Sequence, residues 1–121
     1  MGDLITESEA PVPDALLLLG RAYHALGEYP RAAAAFRDYL RLRPRSAAGY
    51  LFAGRTYLAL GMPDRAFPLL KKAHRLVPAD TRILALLGIA GLKARRSAQA
   101  VEHLQAAVEL APEDRRIYRA Y

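Results

Sequence analysis

The side chains best suited to chemistry in this chain are its three histidines, His24, His74 and His103. They are widely separated in the sequence, the chain has no cysteine, and no carboxylates accompany them at the spacing of a zinc site. Glu102 and Glu109 fall on one predicted helix face, two turns apart, where a lone pair of carboxylates is usually solvated. No nucleophile elbow, phosphate loop or glycine-rich dinucleotide turn occurs in the sequence. We therefore predict that the chain is not an enzyme and holds no metal or cofactor.

The charge balance leaves the binding of anions open. The 121-residue chain has 18 Lys and Arg against 12 Asp and Glu, a formal net charge of +6, and such an excess attracts anionic partners. Nucleic acid could bind along a basic outer band, whose members are Arg31, Arg37, Arg41, Arg43, Arg45, Lys71, Lys72 and Arg75. We treat this only as an alternative, because the tyrosines belong mostly to the packing pattern described below and leave no stacking platform.

Hydropathy and cysteine usage bear on where the chain works. No segment reaches the ~18 consecutive apolar residues that a membrane span needs. A chain without cysteine also fits a reducing compartment. We expect a cytoplasmic protein with no membrane partner.

The elements that position these side chains recur at a fixed interval of 34 along the chain. Four residue types keep this interval: Gly20, Gly54 and Gly88; Ala32, Ala66 and Ala100; Leu42, Leu76 and Leu110; Pro44, Pro78 and Pro112. Within each unit, apolar residues recur at the i, i+3, i+4, i+7 spacing of two successive helices, separated in the first unit by a turn at Gly27. Ser46, Asp80 and Asp114 keep the same interval, at positions where an N-cap side chain would accept from the amides of the following helix.

This pattern resembles the tetratricopeptide repeat family. The first unit carries Leu16, Leu19, Gly20, Tyr23, Gly27, Tyr29, Ala32, Phe36 and Pro44, and the second carries Tyr50, Ala53, Gly54, Tyr57, Gly61, Ala66, Leu70, Ala73 and Pro78. The third unit departs from the pattern, with Gly91 at the tyrosine position and Arg95 at the turn glycine. The resemblance implies an all-α fold in which helix-turn-helix repeats stack as a right-handed superhelical solenoid. In such a stack, Leu16 and Leu19 would face the partner helix of their own repeat.

The same register divides the chain. We expect an acidic, flexible tail over 1–12 and repeats over 13–46, 47–80 and 81–114. Residues 115–121 would begin a fourth helix pair or form a short cap. Pro68 falls near the start of a second helix, where we expect a slight bend and not a break.

The resemblance also implies a binding surface, because such repeats bind an extended peptide or a helix on a concave face lined by their first helices. The positions of that face are Leu17, Arg21, His24, Leu51, Phe52, Arg55, Leu58, Arg82, Leu86, Ile89, Leu92 and Lys93. Leucines flanked by arginines suit a partner with apolar and acidic residues. The alternative is that Leu51 and Leu58 complete the packing of a tightly curved stack.

One ligand class of the family can be tested against these positions. Repeats that bind the acidic C-terminal tails of heat-shock chaperones use a clamp of Lys, Asn and Arg side chains. The matching positions here are Leu17, Arg21, Phe52, Arg82 and Leu86, where an Arg replaces an Asn and Arg82 alone keeps the clamp's basic character. We therefore do not expect that ligand.

Together these observations predict a non-enzymatic protein–protein interaction module. A small dedicated chaperone of a secreted or assembled partner is the alternative within the same class. Self-association through the exposed faces of the terminal repeats, including Ile117 and Tyr118, is a further expectation.

Overall fold

The computed structural model describes residues 12–110, which form six α-helices and no strand. These are α1 (Pro13–Ala25), α2 (Tyr29–Leu42), α3 (Ala47–Ala59), α4 (Pro63–Leu76), α5 (Thr81–Lys93) and α6 (Ser97–Leu110). The first residues of α1, α3 and α5 keep the sequence interval of 34, and so do those of α2, α4 and α6. The sequence period is therefore the period of the structure, and the predicted all-α solenoid of helix pairs is confirmed. The predictions for residues 1–11 and 115–121 lie outside the described residues.

The N-terminal signals of two helices act as predicted. The Ser46 hydroxyl accepts a hydrogen bond from the Gly49 amide at 3.1 Å, at the start of α3. The Asp80 carboxylate accepts from the Arg82 amide at 2.9 Å, at the start of α5. Both caps satisfy amides that have no partner inside their helix. Asp114, the third residue of this series, lies outside the described residues.

The turn inside each repeat requires a residue with positive φ. Gly27 has φ 79° and Gly61 has φ 75°, and both lie in this left-handed region without strain. In the third repeat the same conformation, with φ 63°, falls on Arg95. A residue with a Cβ atom carries a cost of roughly 1–2 kcal/mol in that region. The third repeat therefore keeps the turn conformation of the other two repeats, but Arg95 adopts it with strain.

Small residues let the two helices of a repeat pack closely. A Cβ atom built on Gly54 would lie 2.6 Å from the Leu70 side chain, and one on Gly20 would lie 2.5 Å from the Phe36 ring. Gly88 faces Leu104 in the same way. Each glycine therefore admits a bulky side chain of the partner helix, which explains why this residue recurs in every repeat.

The core lies between the helices, and its centre is the second repeat with the helix that follows it. Leu51, Phe67, Leu70, Ile83 and Leu87 form the largest buried cluster. Helix α4 contributes to this cluster without interruption through Pro68, so the helix is not broken there. At the N-terminal end of the stack, α1 has no preceding helix among the described residues.

The four consecutive leucines of α1 show the effect of that position. Leu17 packs against the Phe36 cluster, whereas Leu18 and Leu19 are 59% and 44% exposed. The sequence pattern placed Leu19 against the partner helix, and this placement is wrong, because much of its surface faces outward.

Candidate functional site

The inner surface of the solenoid is lined by the first helix of each of the three repeats. Helices α1 and α3 contact each other, as do α3 and α5, whereas α2, α4 and α6 approach one another less closely. This difference curves the stack so that α1, α3 and α5 line the concave side. All twelve residues predicted to bind a partner lie on these helices, three on α1, four on α3 and five on α5.

A pocket of ≈ 200 Å³ lies between α1 and α3 on this surface. Four of the predicted residues line it, namely Arg21 and His24 of α1 and Phe52 and Arg55 of α3. We call it the inner pocket. It brings together an aromatic ring, an imidazole and two guanidinium groups, which is the mixture of apolar and cationic groups that the sequence predicted for a binding site.

Phe52 forms the aromatic wall of the inner pocket. Its ring stacks on that of Phe36, with centroids 6.0 Å apart and planes at 19°. The guanidinium carbon of Arg21 lies 4.9 Å from the centre of the Phe52 ring, within the range of a cation–π contact. Phe52 is only half-buried, so part of its surface stays open to a ligand.

His24 is held in place by a hydrogen-bond chain across the two helices. The Thr56 hydroxyl donates to the Phe52 carbonyl at 2.9 Å, so the contact of 3.0 Å to His24 Nδ1 has Nδ1–H as its donor. This assignment fixes the tautomer and leaves the lone pair on Nε2. Burial, and then the charge of Arg55, lower the pKa of His24, which favours the neutral imidazole.

Thr56 is the residue of this hydrogen-bond chain that the sequence analysis did not assign to the site. It is fully buried, and its hydroxyl is satisfied on both sides by the contacts just given. The available signal was a polar residue within the otherwise apolar stripe of Phe52 and Ala59. Thr56 does not line the inner pocket but positions the imidazole that does.

The apolar part of the predicted surface is more buried than expected. Leu51 is only 4% exposed and belongs to the core cluster with Ile83 and Leu87, so its assignment to an open groove is wrong. The alternative, that this leucine completes the packing of a curved stack, is correct. Leu17, Leu58 and Leu86 are half-buried against the core.

The exposed part of that surface continues onto α5. Ile89 is half-buried, Leu92 is 48% exposed, and Lys93 is exposed at the end of the helix. Among the apolar residues predicted to bind a partner, Leu92 is therefore the most exposed, and Phe52 and Ile89 are partly open.

The predicted basic residues differ in the partners that they have already. Arg82 pairs with Asp80, with an Nη2–Oδ2 distance of 2.9 Å, and this hydrogen bond lowers the pKa of the carboxyl. The Arg82 guanidinium thus serves the cap of α5. Arg21 and Arg55 are exposed, and within residues 12–110 neither forms an ion pair with a carboxylate.

The other two histidines meet on the outer side, although they are far apart in the sequence. The rings of His74 on α4 and His103 on α6 are T-shaped at a centroid distance of 5.9 Å, and the Phe67 ring lies 6.3 Å from that of His103. Burial, and then the proximity of His74, lower the pKa of His103. In the part of the chain that the structure describes, no group of three potential ligands could hold a metal ion.

Comparison with known families identifies this architecture. Two tetratricopeptide repeat profiles match the chain, one over residues 57–121 and the other over residues 5–47. The chain therefore belongs to the tetratricopeptide repeat family. Domains of this type are generally non-enzymatic protein-interaction modules. Comparison with curated proteins gives no match.

Solved structures repeat the fold. Residues 41 to the end of MamA from Desulfovibrio magneticus RS-1 are 32% identical, with a TM-score of 0.86, over 92% of this chain and 63% of that one. The TPR2B domain of yeast Sti1, in a pHsp70 complex, is 23% identical, with a TM-score of 0.82, over 90% of this chain and 92% of that one. SycD, a type III secretion translocator chaperone of Yersinia enterocolitica, is 19% identical, with a TM-score of 0.79, over 89% and 82%. The chain thus spans less than two thirds of the MamA structure. None of the six described helices has the length and apolar content to cross a membrane.

Proposed function

We propose that the inner surface of this solenoid binds a peptide or helix of a protein partner that carries apolar and acidic residues. One observation supports this proposal above the others. The inner pocket presents a half-buried Phe52 ring together with Arg21 and Arg55, and no carboxylate among residues 12–110 pairs with either arginine. Exposed apolar surface rimmed by charge is typical of protein contacts.

Each part of the inner pocket has a role in this proposal. An apolar side chain of the partner would cover Phe52, since aromatic residues in pockets contribute most to binding energy. Carboxylates on either side would accept from the forks of Arg21 and Arg55. The Nε2 lone pair of His24 would accept from a backbone N–H of the partner. Leu92 and Lys93 would extend the same chemistry along α5.

Charge reversal at Arg55 tests this role. An acetylated fluorescent peptide, with leucines on one face of a helix and glutamates on the other, would be titrated by polarisation. We expect Arg55→Glu to weaken binding about tenfold, because it removes a charge-assisted hydrogen bond and adds repulsion. Co-purification from native extract, with mass spectrometry of the eluate, would then identify a partner that wild type retains and Arg55→Glu loses.

Arg45→Glu is the matched control, because it makes the same change in net charge between α2 and α3, away from the inner pocket. It should leave the affinity nearly unchanged. If Arg45→Glu weakened the peptide as much as Arg55→Glu, the attraction would be that of the whole charged body and the assignment to the inner pocket would be rejected.

The alternatives stay predictions. A dedicated chaperone would use the same inner surface, and no contact of the described residues favours it over a general interaction module. The outer basic band is partly neutralised within the chain, since Arg31 pairs with Glu28 at 3.2 Å. A salt dependence of several log units for RNA or DNA would favour nucleic acid. Cytoplasmic location and self-association likewise stay predictions.

A further inference from the structure

A second pocket lies on the outer side of the solenoid, and the proposed inner site does not use it. It has a volume of ≈ 630 Å³, within the range of pockets that hold ligand groups. Ala33 of α2 forms one wall, Pro68 and Leu69 of α4 form the other, and Ala53 and Tyr57 of α3 form the floor. We call it the outer pocket.

The outer pocket and the corresponding groove of the next repeat contact differ at several lining positions, among them Ala33/Phe67 and Tyr57/Gly91. Ala33 of α2 corresponds, at the interval of 34, to Phe67 of α4. Phe67 is 2% exposed, and its ring reaches across to His103 of α6, at a centroid distance of 6.3 Å. The groove between α4 and α6 is thus filled by an aromatic ring of the chain itself, whereas Ala33 leaves the equivalent groove between α2 and α4 open.

Cations surround both grooves. In the filled groove, the Arg96 guanidinium lies 4.9 Å and the Lys71 ammonium 5.7 Å from the centre of the Phe67 ring. In the outer pocket, Arg37 occupies the position that corresponds to Lys71. The open groove therefore keeps a cation beside the space in which the filled groove has a ring.

The rim of the outer pocket carries an excess of positive charge. Arg37, Arg41 and Arg65 line it together with one carboxylate, that of Asp64. Asp38 lies 3.9 Å from Arg37 Nε and 3.7 Å from Arg41 Nη1. These distances exceed those of strong charge-assisted hydrogen bonds, so most donors of both guanidinium groups stay available to a ligand.

The backbone of α4 adds an acceptor to the same rim. Pro68 has no N–H, so the Asp64 carbonyl receives no helical hydrogen bond from that position. Both residues line the outer pocket. The Asp64 carbonyl would be an acceptor for an N–H group of a ligand beside the three arginines.

We propose that the outer pocket is a second protein-binding site, which takes an aromatic side chain of an acidic partner segment. The ring occupies the space that Phe67 fills one repeat later. The flanking carboxylates accept from Arg37, Arg41 and Arg65. Charge complementarity and the filled groove of the neighbouring contact together specify this occupant.

The probe is the capped peptide Ac-EEFEE-amide, titrated into ¹⁵N-labelled protein and followed by NMR. We expect shifts centred on the amides of Ala33, Arg37 and Leu69. Ala33→Phe should abolish these shifts, because its ring would occupy the space of the outer pocket next to Tyr57. Replacing the phenylalanine of the peptide by alanine should weaken binding about tenfold, as expected for one lost aromatic anchor.

The repeat supplies a matched pair for the charges. Arg41 lines the outer pocket, and Arg75 occupies the corresponding position in the filled groove. Arg41→Glu should weaken the peptide about tenfold and Arg75→Glu less than about twofold. If Ala33→Phe does not fold, this pair of variants tests the proposal in its place. Arg55→Glu, which alters the inner pocket, should leave these shifts unchanged, so the two sites are tested independently.

Several results would overturn the proposal: shifts confined to α1, α3 and α5; equal binding of the phenylalanine and alanine peptides; equal effects of Arg41→Glu and Arg75→Glu; or no shift at millimolar peptide. A uridine oligonucleotide that displaced the peptide, with a steep salt dependence, would overturn it in favour of nucleic acid.

Discussion

Thr56 is a buried polar residue whose hydroxyl connects α1 and α3 beside the inner pocket. Its hydroxyl donates to the Phe52 carbonyl and accepts from His24 Nδ1–H. A buried donor that loses its acceptor carries most of its desolvation cost. The position of the imidazole in the inner pocket therefore depends on a residue that does not itself line the pocket.

Thr56→Val tests this dependence, because valine keeps the shape of threonine and removes the hydroxyl. We expect the free energy of unfolding in urea to fall by about 1–2 kcal/mol, since His24 Nδ1–H is left without an acceptor. The double variant His24→Leu/Thr56→Val should lose less than the sum of the two single variants. Strict additivity would show that the two side chains do not act together.

At the scale of elements, the turn between α5 and α6 departs from the other two. Arg95 adopts φ 63° where the corresponding turns have Gly27 and Gly61. Arg95→Gly should therefore raise the free energy of unfolding by about 0.5–1 kcal/mol, the strain relieved less the added freedom of glycine in the unfolded chain. Arg95→Ala removes the same long side chain but keeps Cβ, and it should give no such gain. Equal effects of the two variants would refute a backbone origin.

The contact between α4 and α6 makes the stability of the stack sensitive to pH. The pKa of His103 lies below its ordinary value of 6.5, with Lys71, His74 and Glu102 as the neighbouring titratable groups. Below about pH 6.5, the unfolded chain therefore binds more protons at His103 than the folded chain does. The contribution of His103 to the free energy of unfolding is complete above about pH 6.5 and is lost as the pH falls. The melting temperature should drop between about pH 7.5 and about pH 5.

His103→Leu isolates this contribution. Its melting temperature should fall less over the same pH interval, because one of the groups that must be protonated in a buried position is gone. His24→Leu should act in the same direction, since the pKa of His24 is lowered as well. If both variants kept the full pH dependence of wild type, the carboxylates would be responsible for it.

At the scale of the whole molecule, the interval of 34 predicted pairs of helices, and the resemblance to the tetratricopeptide repeat family implied how they stack. Each repeated residue has a local reason, such as the close approach at Gly54 or the cap at Ser46, and local reasons can be read in a single sequence. The burial of Leu51 could not be read in this way. It depends on how tightly α3 and α5 approach, which is set jointly by side chains of several helices.

The part of the candidate site that depends on spacing within helices could be predicted, and the part that depends on contacts between helices could not. Arg21, His24, Phe52 and Arg55 meet in one pocket because helical spacing places them on facing sides of α1 and α3. Arg82 was assigned to the same surface, but its guanidinium pairs with the nearby Asp80. The meeting of His74 and His103 required a stacking geometry that spacing along the chain does not contain.

The difference between Ala33 and Phe67 has a consequence for longer arrays of such repeats. Each groove is bounded only by two neighbouring repeats, so a substitution at this position alters one groove and leaves the next unchanged. Binding pockets could thus be designed into a long array of repeats at chosen positions. Alanine at the position of Ala33 would be chosen where a ligand should bind, and phenylalanine where the groove should stay filled.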